Sequence, residues 1–148
     1  MSDASTPSFL IRSAQPADAE AISTLVTLPA GARERVEGIR AILREPTHSL
    51  CVAEAAGQVV GVVHGVVMPQ LNGALSVQIF AFGVVDQHTR GEVGRRLLAA
   101  IEVWAAACGC TAVSLRGSNP PPGSPEFWAT MGYSDRTSLL VFGKTLAG

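Results

Sequence analysis

Val84-Val85-Asp86-Gln87-His88-Thr89-Arg90-Gly91-Glu92-Val93-Gly94-Arg95-Arg96-Leu97-Leu98 joins an uncharged strand to an amphipathic helix through a glycine-bearing turn. The unpaired N–H groups at a helix start, together with its dipole, form a site for an anion. Glycines let a ligand come close to the backbone. Arg90, Arg95 and Arg96 add positive charge at this end of the helix, where cations oppose the dipole. A phosphate ligand accounts for that charge. A solvated face with a Glu92–Arg96 pair accounts for it as well, and these residues alone leave both readings open.

Working outward, the run Ala74–Val85 holds no formal charge and is expected to be a strand central in its sheet. The helix is read over Glu92–Cys108, because Val93, Leu97, Leu98, Ile101, Ala105 and Cys108 recur at helical spacing and Gly109 stops it. Upstream, Ser49–Ala55 and the valine-rich Val59–Met68 flank the turn Ala56-Gly57-Gln58 and read as two strands, the second buried on both faces. A first strand is expected at Phe9–Arg12. A helix follows Pro16, with acidic Asp18 and Glu20 in its first turn, and ends at Pro29. A charged helix spans 32–45, with Val36, Ile39, Ile42 and Leu43 as its apolar stripe, and Arg33 and Arg40 lie within reach of Glu37. Downstream come a strand at Thr111–Leu115, a proline-rich loop at Asn119–Pro125, a short helix at Pro125–Met131 and a last strand at Ser138–Leu146. The order predicts one α/β domain over residues 1–148, a mixed sheet flanked by helices, with 1–8 as a flexible N-terminus.

Composition narrows the function classes. The chain has 148 residues, 47% hydrophobic and 16% charged, which suits a folded domain. Its net charge of -1 gives no long-range attraction to nucleic acid or anionic lipid. No apolar run is long enough to suggest a membrane span, and Met1–Ser8 lacks the features of a signal peptide. Cys51, Cys108 and Cys110 form no disulfide framework and fit reduced thiols in the cytoplasm. Cys108 and Cys110 lack two further ligands nearby, so no metal site is expected. No P-loop or dinucleotide fingerprint is present.

The strand order and several local patterns resemble the GNAT family of N-acetyltransferases over about residues 9–146. In that family a strand leads into [Gln or Arg]-x-x-Gly-x-[Gly or Ala] at a helix start. The gapless match places Thr89 at the Gln/Arg position, Glu92 at the first Gly and Gly94 at the last; a one-residue shift instead matches Arg90-Gly91 to the usual Arg-Gly pair. Phe127-Trp128-Ala129-Thr130-Met131-Gly132-Tyr133 is similar to the family's Phe-Tyr-x-x-x-Gly-Phe. The resemblance implies a mostly antiparallel sheet with a cleft between the fourth and fifth strands. It implies acetyl-CoA as co-substrate, its pyrophosphate held at Thr89, Arg90, Gly91, Glu92, Val93, Gly94 and Arg95. The pantetheine arm would meet the backbone at Phe82 and Val84, with further contacts at Asn119 and Trp128. The acceptor would be a primary amine of a small molecule or protein, and a homodimer is a family-level expectation. A non-catalytic acyl-CoA-binding or protein-interaction module on the same fold is the competing reading.

Acyl transfer to an amine needs a proton acceptor, a donor to the thioester oxygen and relief of charge on the departing thiolate. The resemblance gives the oxygen to the Val84 backbone amide. His64 in the third strand and Glu54 in the second are the candidate proton acceptors, each weighed against a packed or ion-paired role. The fourth strand offers Gln78 rather than a carboxylate, and His48 and His88 read as loop residues. Trp128 occupies the family's tyrosine position and has no hydroxyl, and the role of acid does not pass to Tyr133, which stands at the family's second Phe.

Overall fold

A computed structural model describes residues 8–26, 31–85, 87–115, 125–134 and 143–146. Five strands lie in sequence order in one sheet: β1 (Leu10–Ser13), β2 (His48–Ala55), β3 (Gln58–Pro69), β4 (Leu75–Val84) and β5 (Ala112–Leu115). The first three pairings are antiparallel and β4 with β5 is parallel. The parallel step requires a crossover, and α3 (Gln87–Ala107) supplies it. The mixed, mostly antiparallel sheet read from the sequence is the sheet observed.

Each face of the sheet is covered differently. On one side Val93, Leu97, Leu98, Ile101 and Ala105 of α3 pack on Ala53, Val63, Val77, Ile79 and Phe82, and Trp128 of α4 (Pro125–Thr130) closes this core. On the other side α1 (Ala19–Leu25) and α2 (Ala32–Leu43) bring Ala19, Ile22 and Ile39 onto Leu50, Val52 and Val62. Alternate residues of β2 and β3 thus serve opposite cores, which is why β3 is rich in valine along its whole length.

A short 3-10 turn at Pro16–Asp18 leads into α1. The buried Asp18 carboxylate accepts the Gln15 backbone N–H at 2.8 Å and a two-pronged pair from Arg12 at 2.9 and 3.0 Å. Arg12 also donates from Nε to Glu54 at 2.7 Å. These bonds pin β1, β2 and the start of α1 together. Arg12 holds the Asp18 carboxyl below the usual range.

Four expectations need correction. His48 is the first residue of β2, not a loop residue, because the strand starts one residue before Ser49. The helix read from Glu92 begins at Gln87, so its orphan N–H groups belong to residues 87–90. The charged pairs expected within α2 are absent among the described residues; Arg35 of α2 instead pairs with Glu20 of α1 at 2.9 Å. Residues 143–146, expected to end a last strand, are exposed and form no strand, while 138–142, Asn119 and residues 1–7 lie outside the described residues.

Candidate active site

β4 changes character halfway along. Its parallel pairing to β5 runs from Ser76–Ala112 to Ile79–Leu115. At that same point its register with β3 slips, since Gly65 pairs with Ile79 but His64 pairs with Ala81. Phe80 is the extra residue, a β-bulge that turns the strand. The described pairing of β4 with β5 ends at Ile79, opposite Leu115, the last described residue of β5. Val85 donates its N–H to Val60 of β3 at 3.0 Å. Backbone groups alternate in direction along a strand, so the N–H groups of Val84 and Phe82 point to the other side, away from β3.

The side chain of Phe82 is buried under α3 and that of Val84 packs beside it. Gly83 lies between them, with the backbone of α1 directly above: a Cβ there would stand 2.5 Å from the Leu25 carbonyl oxygen. The end of α1 therefore fixes the height of β4 where its Phe82 and Val84 amides face away from β3.

The first turn of α3 follows within three residues of β4, so its N–H groups open near the end of that strand. Thr89 and Arg90 lie in this turn, and Gly91 and Glu92 follow on the exposed surface. Glu92 forms no ion pair among the described residues, so the solvated Glu92–Arg96 pair is not made. Arg95 is exposed, whereas the Arg96 guanidinium lies over the Phe9 ring at 5.0 Å. Val93 is buried in the α3 core. Gly94 faces inward: a Cβ would meet Phe127 at 3.0 Å and Phe82 at 3.3 Å. Its lack of a side chain lets α3 settle on the aromatic cluster.

That cluster is Phe82, Phe127, Trp128 and Tyr133. Trp128 is 9% exposed and meets the other three rings edge-on, each at 5.3 Å between centroids. Tyr133 donates its hydroxyl to Glu102 of α3 at 2.8 Å. Burial first, then that bond to a carboxylate, push the phenol well above its ordinary range. Tyr133 is thus a tether rather than an acid, in keeping with the sequence reading.

Of the two candidate proton acceptors, Glu54 is engaged by Arg12. It lies four residues along β2 from Leu50, the partner of His64, or about 13 Å at 3.3 Å per residue. The fold does not bring the two together. His64 meets a residue the sequence reading set aside: Nδ1 of His48 lies 2.9 Å from Nε2 of His64, with the rings stacked at 5.2 Å. Phe80, the bulge residue, meets His64 edge-on at 5.8 Å. Burial, and then the charge of His48, lower His64 to about 4, so it is neutral at neutral pH. Gln78 lies on the same face, and its Oε1 is buried without a hydrogen-bond partner among the described residues. The signal for His48 in the sequence was the Ala56-Gly57 turn, which folds residues 48 and 64 back toward each other.

The chain matches the family model described as Acetyltransferase (GNAT) family over residues 18–133. Among solved structures it is similar to glucosamine-6-phosphate N-acetyltransferase from Arabidopsis thaliana, with a TM-score of 0.74, 20% identity, 92% of this chain and 98% of that one covered. An aminoglycoside antibiotic 6'-N-acetyltransferase from Acinetobacter baumannii gives a TM-score of 0.78 at 14% identity, covering 95% of this chain and 100% of that one. An aminoglycoside N-acetyltransferase in complex with CoA gives 0.76 at 17% identity, covering 95% and 97%. Among curated proteins none matches the chain. At these identities the structural likenesses speak for the fold.

Proposed function

The chain belongs to the GNAT acetyltransferase family, and on that premise we propose that it moves an acetyl group from acetyl-CoA directly to a primary amine of a small molecule or a protein. The observation that carries this reading is the end of β4 past the Phe80 bulge, where the Phe82 and Val84 amides face away from β3 and α3 starts within three residues. The pyrophosphate would lie at the first turns of α3, over residues 89–95, and the pantetheine arm along Phe82 and Val84, with Asn119 as a further contact. The Val84 N–H, or that of Phe82, would receive the thioester oxygen as charge builds on it. His64 would accept the amine's proton. The similar structures include one solved with CoA and others named for amine acceptors, glucosamine-6-phosphate and an aminoglycoside. The whole chain would act as one domain in the cytoplasm, where its three free thiols suit a reducing medium, and it would pair as a homodimer.

A second reading has its own support. Glu92 places a negative charge where a pyrophosphate would approach, and neither Trp128 nor the tethered Tyr133 offers the thiolate a proton. A non-catalytic acyl-CoA-binding module fits those features. Calorimetric titration with acetyl-CoA, paired with release of free CoA in the presence of a panel of primary amines, separates the two. The enzyme reading expects binding and amine-dependent CoA release. Gly91→Trp should abolish binding without unfolding the chain, since nothing lies within 4 Å of a side chain built there. Binding without release from any amine would favour the module, and no binding up to millimolar acetyl-CoA would sink both.

A further inference from the structure

We propose that His48 and His64 work as one base: the pair takes the proton of the acceptor ammonium on the sheet face opposite α3, and His48 carries the resulting charge toward solvent. This deepens the acetyltransferase reading and rests on it.

The geometry begins with the sheet register. His48 pairs with Val66, Val66 with Gln78 and Gln78 with Ser114, so these four side chains form a row across one face. His64 lies two residues from Val66 and shares that face, opposite Ala81. Val77 and Ile79 point into the α3 core, which confirms that Gln78 points the other way. Ala81 is small, so little side chain stands on β4 between the His64 ring and the side of the strand to which the Phe82 amide points. An amine standing over Ala81 would have His64 on one side and a thioester on the other, directly or through one water. The unpartnered Gln78 Oε1 would accept a second ammonium hydrogen, and Phe80, 51% exposed, would offer an apolar wall.

Two imidazoles 2.9 Å apart hold one proton between them well and two badly. The neutral pair therefore binds a first proton with an internal N–H···N bond ready to spread it, and resists a second. Both rings are half-buried, but desolvation penalises the charged form of His64; His48, at the start of β2, is the outlet. Among the described residues no other titratable side chain acts on His64: β4 presents Gln78, Phe80 and Ala81, β2 presents Leu50 and Val52, and Arg40, Arg44 and Glu45 near the end of α2 are exposed.

The step balances as follows. The ammonium N–H bond breaks and its proton goes to the pair. The freed amine nitrogen forms a bond to the thioester carbon. The C–S bond then breaks, one of the two protons left on nitrogen passes to sulfur, and CoA leaves as the thiol. The pair returns its proton to solvent through His48.

Histidine ring NMR titration and a pH–rate profile, on wild type, His48→Gln and His64→Gln, test this. In wild type the two rings should take up one proton together, with shifts at both rings over the same pH interval, and the second proton should add only well below an ordinary histidine's range. In His48→Gln, His64 should titrate below an ordinary histidine but above its wild-type position, because burial persists while the charge of His48 is gone. The variant's kcat should fall at least tenfold with KM for acetyl-CoA unchanged, and the acid limb of the profile should move. Two rings titrating independently, or a profile whose acid limb His48→Gln leaves in place, would overturn the pair while the acetyltransferase reading stands. Acetyl-CoA binding with no amine turnover in wild type would overturn both, and the ring titration would still show whether the proton is shared.

Discussion

At Glu92 a carboxylate stands one turn into α3, beside the N–H groups on which a pyrophosphate would rest. Two negative charges there repel through a partly solvated medium, an effect that salt weakens. Glu92→Ala should lower the Kd for acetyl-CoA several-fold at low salt, with the gain shrinking as salt is added; calorimetry at two ionic strengths checks it, and an unchanged Kd would mean the carboxylate points away from the ligand. Arg12 acts on stability instead. It neutralises the buried Asp18 and reaches Glu54, so Arg12→Met leaves two carboxylates without their cation and should cost about 3 kcal/mol in urea unfolding. The pH dependence follows from the sign. Asp18 is held below its ordinary range when folded, so its contribution is full above an unfolded aspartate's pKa of about 3.9 and is lost as pH falls through the lower folded value. The Arg12→Met variant should lose that acid-side dependence. His64 runs the other way from a histidine that gains a partner. Lowered from 6.5 to about 4, it binds fewer protons folded than unfolded in that interval, so it makes stability rise with pH there.

Elements meet at glycines whose absent side chains set spacing. Gly83 touches the carbonyl end of α1, and Gly83→Ala would force β4 and α1 apart at a backbone atom that cannot swing away. A loss of about 1–3 kcal/mol is expected from this overpacking, together with weaker acetyl-CoA binding, because the Phe82 and Val84 amides flank the displaced residue. Gly91→Ala is the contrast. It sits inside α3 with open space around it, so the change should stabilise by about 0.5–1 kcal/mol. Denaturant midpoints of the two variants should move in opposite directions. Most of the elements were legible in the sequence because apolar spacing marks a buried face whatever it packs against. The start of α3 was harder: residues 87–91 carry no apolar stripe, so periodicity could not reach back to Gln87.

For the whole molecule, a ligand that binds the folded state alone raises its stability by mass action. Acetyl-CoA at 100 times its Kd should add about 2.7 kcal/mol, which for a domain of this size raises Tm by about 5–10 °C. A differential thermal scan checks this, and no shift at saturating ligand would count against the cleft as its site. The family and the mixed sheet followed from the order of strands and helices, since the uncharged strand at 74–85 could only be central and its crossover helix forces a parallel neighbour.

The sequence by itself determined the fold class and the apolar faces of the main strands and helices, because burial acts on local patterns. It also named His64 and Gln78 as the polar side chains of the central strands. Only the tertiary structure decided what they face. Ala55 pairs with Gln58 and Glu54 with Val59, but Ala53 pairs with Gly61, leaving Val60 as an extra residue. Without that slip His48 would pair with Gly65 and point to the opposite face from His64; with it, the two rings stack. A one-residue shift reverses every side chain beyond it, and nothing in the residue types marks Val60, or Phe80 on the next strand, as the place where the ladder gives way.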